Sequence, residues 1–163
     1  MGEPVERDPV RAEFEFSSSF VDLYDECFTP MVRLAWALTG SEATAEDLVQ
    51  DAFVRVQARW ERVEHPRAYL RQAVVNACRS ASRRAKRERT AAPPLLAEVA
   101  HLEADELFDA LARLPYRQRA ALVLQFYEGL SQSEIAVLLR CREGTVASLV
   151  HRGLAQLRRV IES

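Results

Sequence analysis

The chain has 163 residues, 28% of them charged, and a formal net charge of only −2. This length fits one domain or two small ones, and 48% hydrophobic residues are enough for a packed core, which argues against a largely disordered chain. Only 5 glycines and 7 prolines favour helices over a turn-rich β fold. No stretch between charged residues exceeds 8 residues, which excludes a membrane span. The acidic N-terminus does not resemble a signal peptide.

Three cysteines lie far apart in the sequence, at positions 27, 78 and 141. This spacing predicts neither a disulfide framework nor a zinc site. The three histidines are scattered, and no glycine-rich phosphate loop or catalytic arrangement is present. We therefore expect a cytoplasmic protein that is not an enzyme, with no cofactor, no metal and no small-molecule substrate.

The small net charge results from charges that are segregated along the chain. Residues 51–92 carry 11 basic and 4 acidic side chains, and residues 140–163 carry 5 basic and 2 acidic ones. Residues 1–50 are acidic, and residues 93–112 contain 5 acidic side chains and no basic one. Two basic blocks separated by an acidic joint indicate two sites for a polyanion. Charged helix faces that merely contact solvent would give a similar pattern.

The first predicted helices follow an acidic arm, residues 1–17, which we expect to be flexible. Apolar residues recur at intervals of three and four over residues 20–28, and the pattern resumes after Pro30. It ends before Gly40, which suits the left-handed residue that often terminates a helix.

A second helix is predicted to begin at a capping box, residues 44–47, and to run to about Trp60. Leu48, Ala52 and Val56 form its inward stripe, and Trp60 continues that stripe, so we assign this aromatic to the core. A separate strip at spacings of three and four comprises Asp47, Gln50, Asp51 and Val54.

A third helix is predicted to start near Pro66, a favourable first-turn residue. Its apolar positions lie on one side, and a basic ladder about 16 Å long lies on the far side. The ladder comprises Asn76, Arg79, Arg83 and Arg87. A solvated surface would more often interleave acidic residues at four-residue spacing, so the ladder indicates phosphate binding.

Residues 90–103 contain two adjacent prolines and little periodicity, and we interpret them as a linker or weak helix. Beyond it we predict short helices over residues 104–113, 116–128, 131–139 and 143–161. Ser131 to Glu134 forms a capping box, and Arg140 to Arg142 a tight turn before a longer basic helix. This arrangement is typical of a helix-turn-helix, which places its second helix in the major groove; an ordinary helical hairpin is the alternative.

The motifs occur in an order that resembles one family. Residues 45–53, AEDLVQDAF, resemble the "AEDxxQDxF" signature of extracytoplasmic-function (ECF) sigma factors, the small sigma-70-type initiation factors. Residues 66–70 and the arginine-rich helix are similar to that family's next motif. Residues 114–119, 131–136 and 143–153 resemble its "LPxxxR", "SxxEIA" and "GTVKSRxxRG" motifs. The resemblance covers about residues 18–162.

This resemblance implies an all-α fold with two small helical domains joined by a flexible linker. Residues 18–89 correspond to sigma domain 2, which contacts core polymerase and the minus-ten element, and residues 104–162 to the helix-turn-helix domain 4. The strip Asp47, Gln50, Asp51 and Val54 corresponds to the helix that docks on the clamp of RNA polymerase core. The implied partners are this core, promoter DNA and, as a further candidate, an anti-sigma factor.

The same resemblance implies the residues that contact DNA. Bases taken out of a duplex need a pocket, a polar reader and cations along the strand. On the minus-ten side we expect contacts from the loop of about residues 62–67 and from the basic ladder, with Asn76 as the reader and Tyr69 or Trp60 as a stacking surface. The expected set is Arg62, Arg67, Tyr69, Asn76, Arg79, Arg83, Arg84 and Arg87. On the minus-thirty-five side we expect Arg140, Arg142, Thr145, Ser148, His151 and Arg152.

Two departures from the family pattern concern the last helix and the third. Ala147 and Leu149 stand where the family usually has Lys and Arg, and Tyr69 replaces a usual Trp. The loss of two cations predicts weaker phosphate binding at the minus-thirty-five element. The residues leave two alternatives open: a free-standing helix-turn-helix regulator with an N-terminal dimerisation or sensing domain, and a protein-binding adaptor.

Overall fold

The computed structural model describes residues 9–91 and 106–163, with side chains described over residues 19–88 and 106–163. Within these ranges the chain is helical and contains no strand, and the all-α prediction is confirmed. Most of the predicted linker, residues 90–103, and the start of the arm lie outside the described residues. The helices are α1 (Pro9–Thr39), α2 (Glu42–Ala58), α3 (Pro66–Ala91), α4 (Glu106–Ala112), α5 (Tyr116–Leu122), α6 (Gln132–Leu139) and α7 (Glu143–Glu162).

Helices α1, α2 and α3 pack against one another and form the N-terminal module. Their buried faces follow the helical period, with a core that includes Leu34, Leu38, Val49, Val56, Leu70 and Val74. An aromatic cluster extends this core between α1 and α2. Phe20 meets Trp60 edge-on with ring centroids 5.5 Å apart, and Tyr24 lies 4.8 Å from Phe53. The half-buried Trp60 thus packs against the core, as predicted.

Three predicted helix features are wrong in detail. The N-cap of α2 is Ser41, whose Oγ accepts the Thr44 N–H at 3.3 Å, so the predicted capping box at residues 44–47 lies inside the helix. The helix ends at Ala58, and Trp60 belongs to a 3₁₀ turn, Trp60–Arg62. Helix α1 begins at Pro9, within the predicted arm, and its interior contains Pro30.

Helix α1 continues through Pro30 because its neighbours on both sides are held in the core. The proline has no N–H, so it cannot donate to the carbonyl one turn before it. Cys27 and Met31 flank it and are both buried against the module core. Burial of that apolar face stabilises the helix across the missing hydrogen bond. Gly40 ends the helix at φ +74°, the left-handed conformation that the sequence predicted.

Helices α4 to α7 form the C-terminal module, in which α7 packs on α4, α5 and α6. A π-helical turn, Val123–Tyr127, extends α5. Gly153 of α7 is buried where α5 approaches most closely; a Cβ there would lie 3.0 Å from Leu122 Cδ1. The predicted capping box of α6 is confirmed, since Ser131 Oγ accepts the Glu134 N–H at 3.2 Å and Glu134 Oε2 accepts the Ser131 N–H at 2.8 Å.

The two modules contact each other directly. Arg119 Nη1 donates to the carbonyl oxygen of Leu38 at 2.6 Å, and Tyr116 Oη donates to the carbonyl oxygen of Val75 at 3.3 Å. Trp36 stacks on Phe108 with ring centroids 4.7 Å apart. An ion pair between Arg71 and Glu128, at 3.0 Å, adds a fourth link. These contacts fix the C-terminal module against α1 and α3, and we refer to this placement as the closed arrangement.

Candidate polymerase and nucleic-acid interfaces

The strip Asp47, Gln50, Asp51 and Val54 is exposed along one face of α2. The opposite face carries Val49, Ala52, Phe53 and Val56 into the core, which fixes the rotation of the helix about its axis. Gln50 Nε2 donates to Tyr24 Oη at 3.0 Å. Val54 is 63% exposed, although it is apolar. An exposed valine among carboxylates suits a protein contact that excludes water from a small apolar centre within a polar rim.

A pocket of about 640 Å³ lies where the 3₁₀ turn meets the start of α3. Two predicted residues, Arg62 and Tyr69, line it together, and the Tyr69 ring is half-buried. The other polar residues around it are Arg59, Glu64, His65 and Gln72, so one carboxylate lies among the cations. An aromatic ring, an amide and cations around one pocket are the groups that bind an unstacked base and the phosphates beside it.

Sequence analysis did not name four of these residues individually. Glu64 and His65 lie within the predicted loop, residues 62–67, and Arg59 precedes the turn, whose shape was not predicted. Gln72 lies three residues after Tyr69 and four before Asn76, so helical spacing places all three on one face of α3. That spacing was a signal that could have found Gln72.

The structure places Arg67 away from this pocket. Its guanidinium forms an ion pair with the Glu26 carboxylate on α1, and both side chains are more than half exposed. Arg67 and Glu26 line a second pocket of about 570 Å³ on the α1 side of the turn. Arg67 and Tyr69 therefore face different surfaces, and the predicted minus-ten set is not gathered at one point.

The basic ladder continues along α3 from the pocket, but its middle lies under the C-terminal module. Arg83, Arg84 and Arg87 are exposed, whereas Asn76 and Arg79 are half-buried. Arg79 Nη2 donates to Asn76 Oδ1 at 3.5 Å, a long contact. Burial lowers the pKa of Arg79, and the nearby charges of Arg140 and Arg83 lower it further. The far side of α3, which the sequence predicts to bind phosphates, is thus partly covered.

The predicted helix-turn-helix is formed by α6 and α7. Arg140 turns the chain in the left-handed conformation at φ 53°, and Arg142 is the N-cap residue of α7. Of the predicted minus-thirty-five residues, Thr145 is half-buried, and the others are exposed: Arg140, Arg142, Ser148, His151 and Arg152. Arg140, Arg142 and Thr145 line a cleft of about 1090 Å³ with Arg117 of α5, a cation that the sequence analysis missed.

Two positions on α7 refine this surface. Helical spacing along α7 predicts that Leu149 and Leu154 both lie on its inner face. Leu149 is half-buried against the core, as predicted. Leu154 is instead 41% exposed and lines an apolar groove of about 460 Å³. The groove also contains Phe126, 63% exposed, and Leu107, 42% exposed. Ser148 Oγ donates to the Gly144 carbonyl at 3.1 Å, so its hydroxyl oxygen still has lone pairs to accept a hydrogen bond.

The described residues contain no group of three or more His, Cys, Asp or Glu side chains arranged to hold a metal ion. Burial raises the pKa of Cys78 to about 12, and burial also raises the pKa of Cys27. Both thiols are therefore protonated at neutral pH and unreactive. None of the described helices has the length and apolar character needed to cross a membrane.

Two family models match the chain. The model for sigma-70 region 2 matches residues 23–88, and the model for sigma-70 region 4 matches residues 104–157. The RNA polymerase sigma-E factor of Streptomyces coelicolor is 35% identical over 78% of this chain and 77% of its own length. The ECF RNA polymerase sigma factor SigM of Mycobacterium tuberculosis is 33% identical over 88% of this chain and 77% of its own length.

Solved structures share the fold. The sigma factor RpoE of Bartonella quintana, in complex with the anti-sigma factor NepR, superimposes with a TM-score of 0.72 at 24% identity, over 88% of this chain and 97% of that one. CnrH in complex with the cytosolic domain of CnrY gives 0.66 at 24% identity, over 90% of this chain and 89% of that one.

Proposed function

The chain belongs to the sigma-70 family and is an RNA polymerase sigma factor of the ECF type. We propose that three of its surfaces each bind a different component of the initiation complex. The exposed strip on α2 binds core polymerase. The pocket at Tyr69 and the ladder on α3 bind the minus-ten element, and the surface of α6 and α7 binds the minus-thirty-five element. We assign sigma domain 2 to residues 18–89, within the N-terminal module, and sigma domain 4 to residues 104–162, which include the C-terminal module.

The observation that carries this assignment is the pairing of two unlike interfaces on the N-terminal module. The α2 strip is polar, acidic and exposed, whereas the pocket and ladder on α3 are cationic. A free-standing regulator that used this module only for dimerisation or sensing would need neither, and the match to sigma-70 region 2 also favours the sigma factor. An adaptor without a role on DNA would leave the cations of α3 unexplained.

Sigma-70 family members are transcription initiation factors that act on RNA polymerase inside the cell. We propose that this chain has no catalytic activity of its own and works in the cytoplasm, where it directs core polymerase to specific promoters. The residues around Tyr69 position and stabilise an unpaired base, and polymerase performs the chemistry. The chain needs no cofactor for this role.

An anti-sigma factor is a partner of the Bartonella quintana relative, and we propose that this chain is held by one too. The apolar groove with Phe126 and Leu154 is the described surface most suited to an amphipathic helix, since large apolar side chains there remain exposed. Addition of such a partner to a reaction with core polymerase should stop initiation, and Phe126→Glu should restore it.

Run-off transcription with purified core polymerase tests the main proposal. The wild-type chain should produce promoter-dependent transcripts from a genomic fragment library. Asp51→Arg should lower core binding at least tenfold, because it places a cation in the acidic strip, while the helix content by circular dichroism stays unchanged. Glu162→Arg makes the same charge change at an exposed position on α7 and should bind core normally. Equal core binding by both variants would contradict the assignment of the strip.

A further inference from the structure

A cleft of about 1090 Å³ separates α3 from the C-terminal module. Cationic side chains line it from both sides, with Arg79, Arg83 and Lys86 on α3 and Arg113, Arg117, Arg119 and Arg140 on the C-terminal module. No acidic side chain is among the described residues that line it. The cleft exists only in the closed arrangement, because each wall belongs to a different module.

These cations lie close enough to influence one another. The pKa of Arg79 is lowered first by burial and then by Arg140, Arg83 and Arg117, three like charges that face it from α3, α5 and the turn before α7. Tyr116 is the one neighbour with the opposite effect. Within the described part of the chain, no carboxylate forms an ion pair with Arg79, Arg83, Arg117 or Arg140. A cleft lined by one sign of charge concentrates ions of the opposite sign.

Directed contacts fix the positions of the two walls. Tyr116 hydrogen-bonds to the Val75 carbonyl beside Arg79, and Arg119 donates to four carbonyl oxygens, those of Leu38, Leu111, Ala112 and Leu114, at 2.6 to 3.2 Å. Arg119 is therefore a structural residue, and it holds α5 against α1 and the end of α4. The remaining arginines project into a space whose two walls are held at a defined separation.

We propose that this cleft binds a ligand with several linked phosphates, which bridges Arg79 and Arg83 of one module to Arg117 and Arg140 of the other. Guanidinium groups suit this role, since each can donate two parallel hydrogen bonds to one phosphate. Several phosphates in a row match cations that are distributed along both walls. The bound ligand replaces repulsion across the cleft with attraction and stabilises the closed arrangement.

The consequence for transcription rests on the proposed function. The minus-ten and minus-thirty-five elements are centred about 25 base pairs apart, roughly 85 Å of duplex at 3.4 Å per pair. Two modules in direct contact cannot reach both elements at that distance, so the closed arrangement must open on a promoter. A ligand that bridges the cleft holds the modules together and keeps Arg79 from DNA, and it therefore lowers initiation.

Calorimetry with the full-length chain and inorganic tripolyphosphate tests the site. We expect one ligand per chain at low ionic strength and at least tenfold weaker binding for Arg79→Gln/Arg140→Gln, which removes one cation from each wall. The matched control, Arg55→Gln/Arg158→Gln, removes one exposed cation from each module outside the cleft and should bind within twofold of wild type. Equal weakening of both double variants would overturn the proposal, because it would mean attraction to net charge alone.

Fluorescence energy transfer between dyes on Ala58→Cys and Gln156→Cys, both exposed, reports the separation of the modules. The dyes are placed in a chain with Cys141→Ser, in which the two remaining cysteines are buried. Tripolyphosphate should raise the transfer efficiency of this chain, and Arg79→Gln/Arg140→Gln should abolish the rise.

Linked phosphates occur both in a free polyphosphate and in a nucleic-acid strand, and a single-stranded oligonucleotide tests the second source in the same assay. Higher energy-transfer efficiency with both tripolyphosphate and the oligonucleotide supports a cleft that binds linked phosphates from either source. Tight binding of the oligonucleotide alone, with lower transfer, would overturn the proposal by assigning these arginines to DNA in an open chain. None of these three experiments contains polymerase, so failure here leaves the run-off result intact, and failure of the run-off assay leaves the site intact.

Discussion

The proposed minus-ten face on α3 and the proposed minus-thirty-five face on α7 differ in how much of each the fold leaves open. On α3 the ladder carries three arginines at four-residue spacing, yet Arg79 lies half-buried beneath the other module. On α7 the proposed minus-thirty-five residues Ser148, His151 and Arg152 are exposed. Ala147 and Leu149 contribute no charge to this helix. The module with the stronger cationic surface is thus the one that closure covers. We therefore expect closure to control the interaction with the larger electrostatic contribution.

The largest expected effect comes from reversing the charge of two arginines on each face and comparing the losses of transcription. Arg79→Glu/Arg83→Glu should lower promoter-dependent run-off transcription at least 100-fold while core binding stays normal, because it places two carboxylates where we propose that the melted strand passes. Arg142→Glu/Arg152→Glu makes the same change on the other face and should cost only about tenfold, since fewer phosphates are bound there. A larger loss from the second pair would reverse the assigned roles of the two modules.

A second, smaller effect concerns the contact that closes the molecule. Arg119→Ala should lower the free energy of unfolding by about 3 kcal/mol, because four carbonyl oxygens lose a charged donor. Urea denaturation followed by circular dichroism measures it. Arg117→Ala, an exposed neighbour on α5, should change stability by less than about 0.5 kcal/mol. A similar small change in both variants would show that Arg119 contributes little to the junction.

The smallest expected effect concerns two glycines of α7 in the C-terminal module. Substitution by alanine should change the free energy of unfolding in opposite directions at these two positions. Gly153→Ala should destabilise the chain by about 1 kcal/mol, because the new methyl meets Leu122 at 3.0 Å and the Gln118 carbonyl at 3.4 Å. Gly144→Ala has nothing within 4 Å and should stabilise by about 0.5 kcal/mol through helix propensity. Thermal unfolding of the two variants in parallel checks both signs, and stabilisation by Gly153→Ala would contradict the close approach of α5.

Features that depend on a few neighbouring residues could be predicted from the sequence. The Ser131–Glu134 capping box and the left-handed Gly40 are set by local hydrogen bonds and backbone sterics, and both occur where expected. The same local reasoning failed at Thr44 because Ser41, directly after Gly40, offers an equally good cap three residues earlier. It also did not foresee Arg59 and His65 beside Tyr69, since the turn that brings them there is not periodic.

The sequence by itself determined that the chain is helical, that its cations fall in two blocks, and that its motifs follow the order of a sigma factor. Each of these properties depends on residue type and spacing along the chain. Only the tertiary structure decided that Arg67 pairs with Glu26, that Arg79 is half-buried, and that cations of both modules line one cleft. These depend on contacts between residues far apart in sequence, such as that of Arg119 with Leu38, which helical periodicity does not specify.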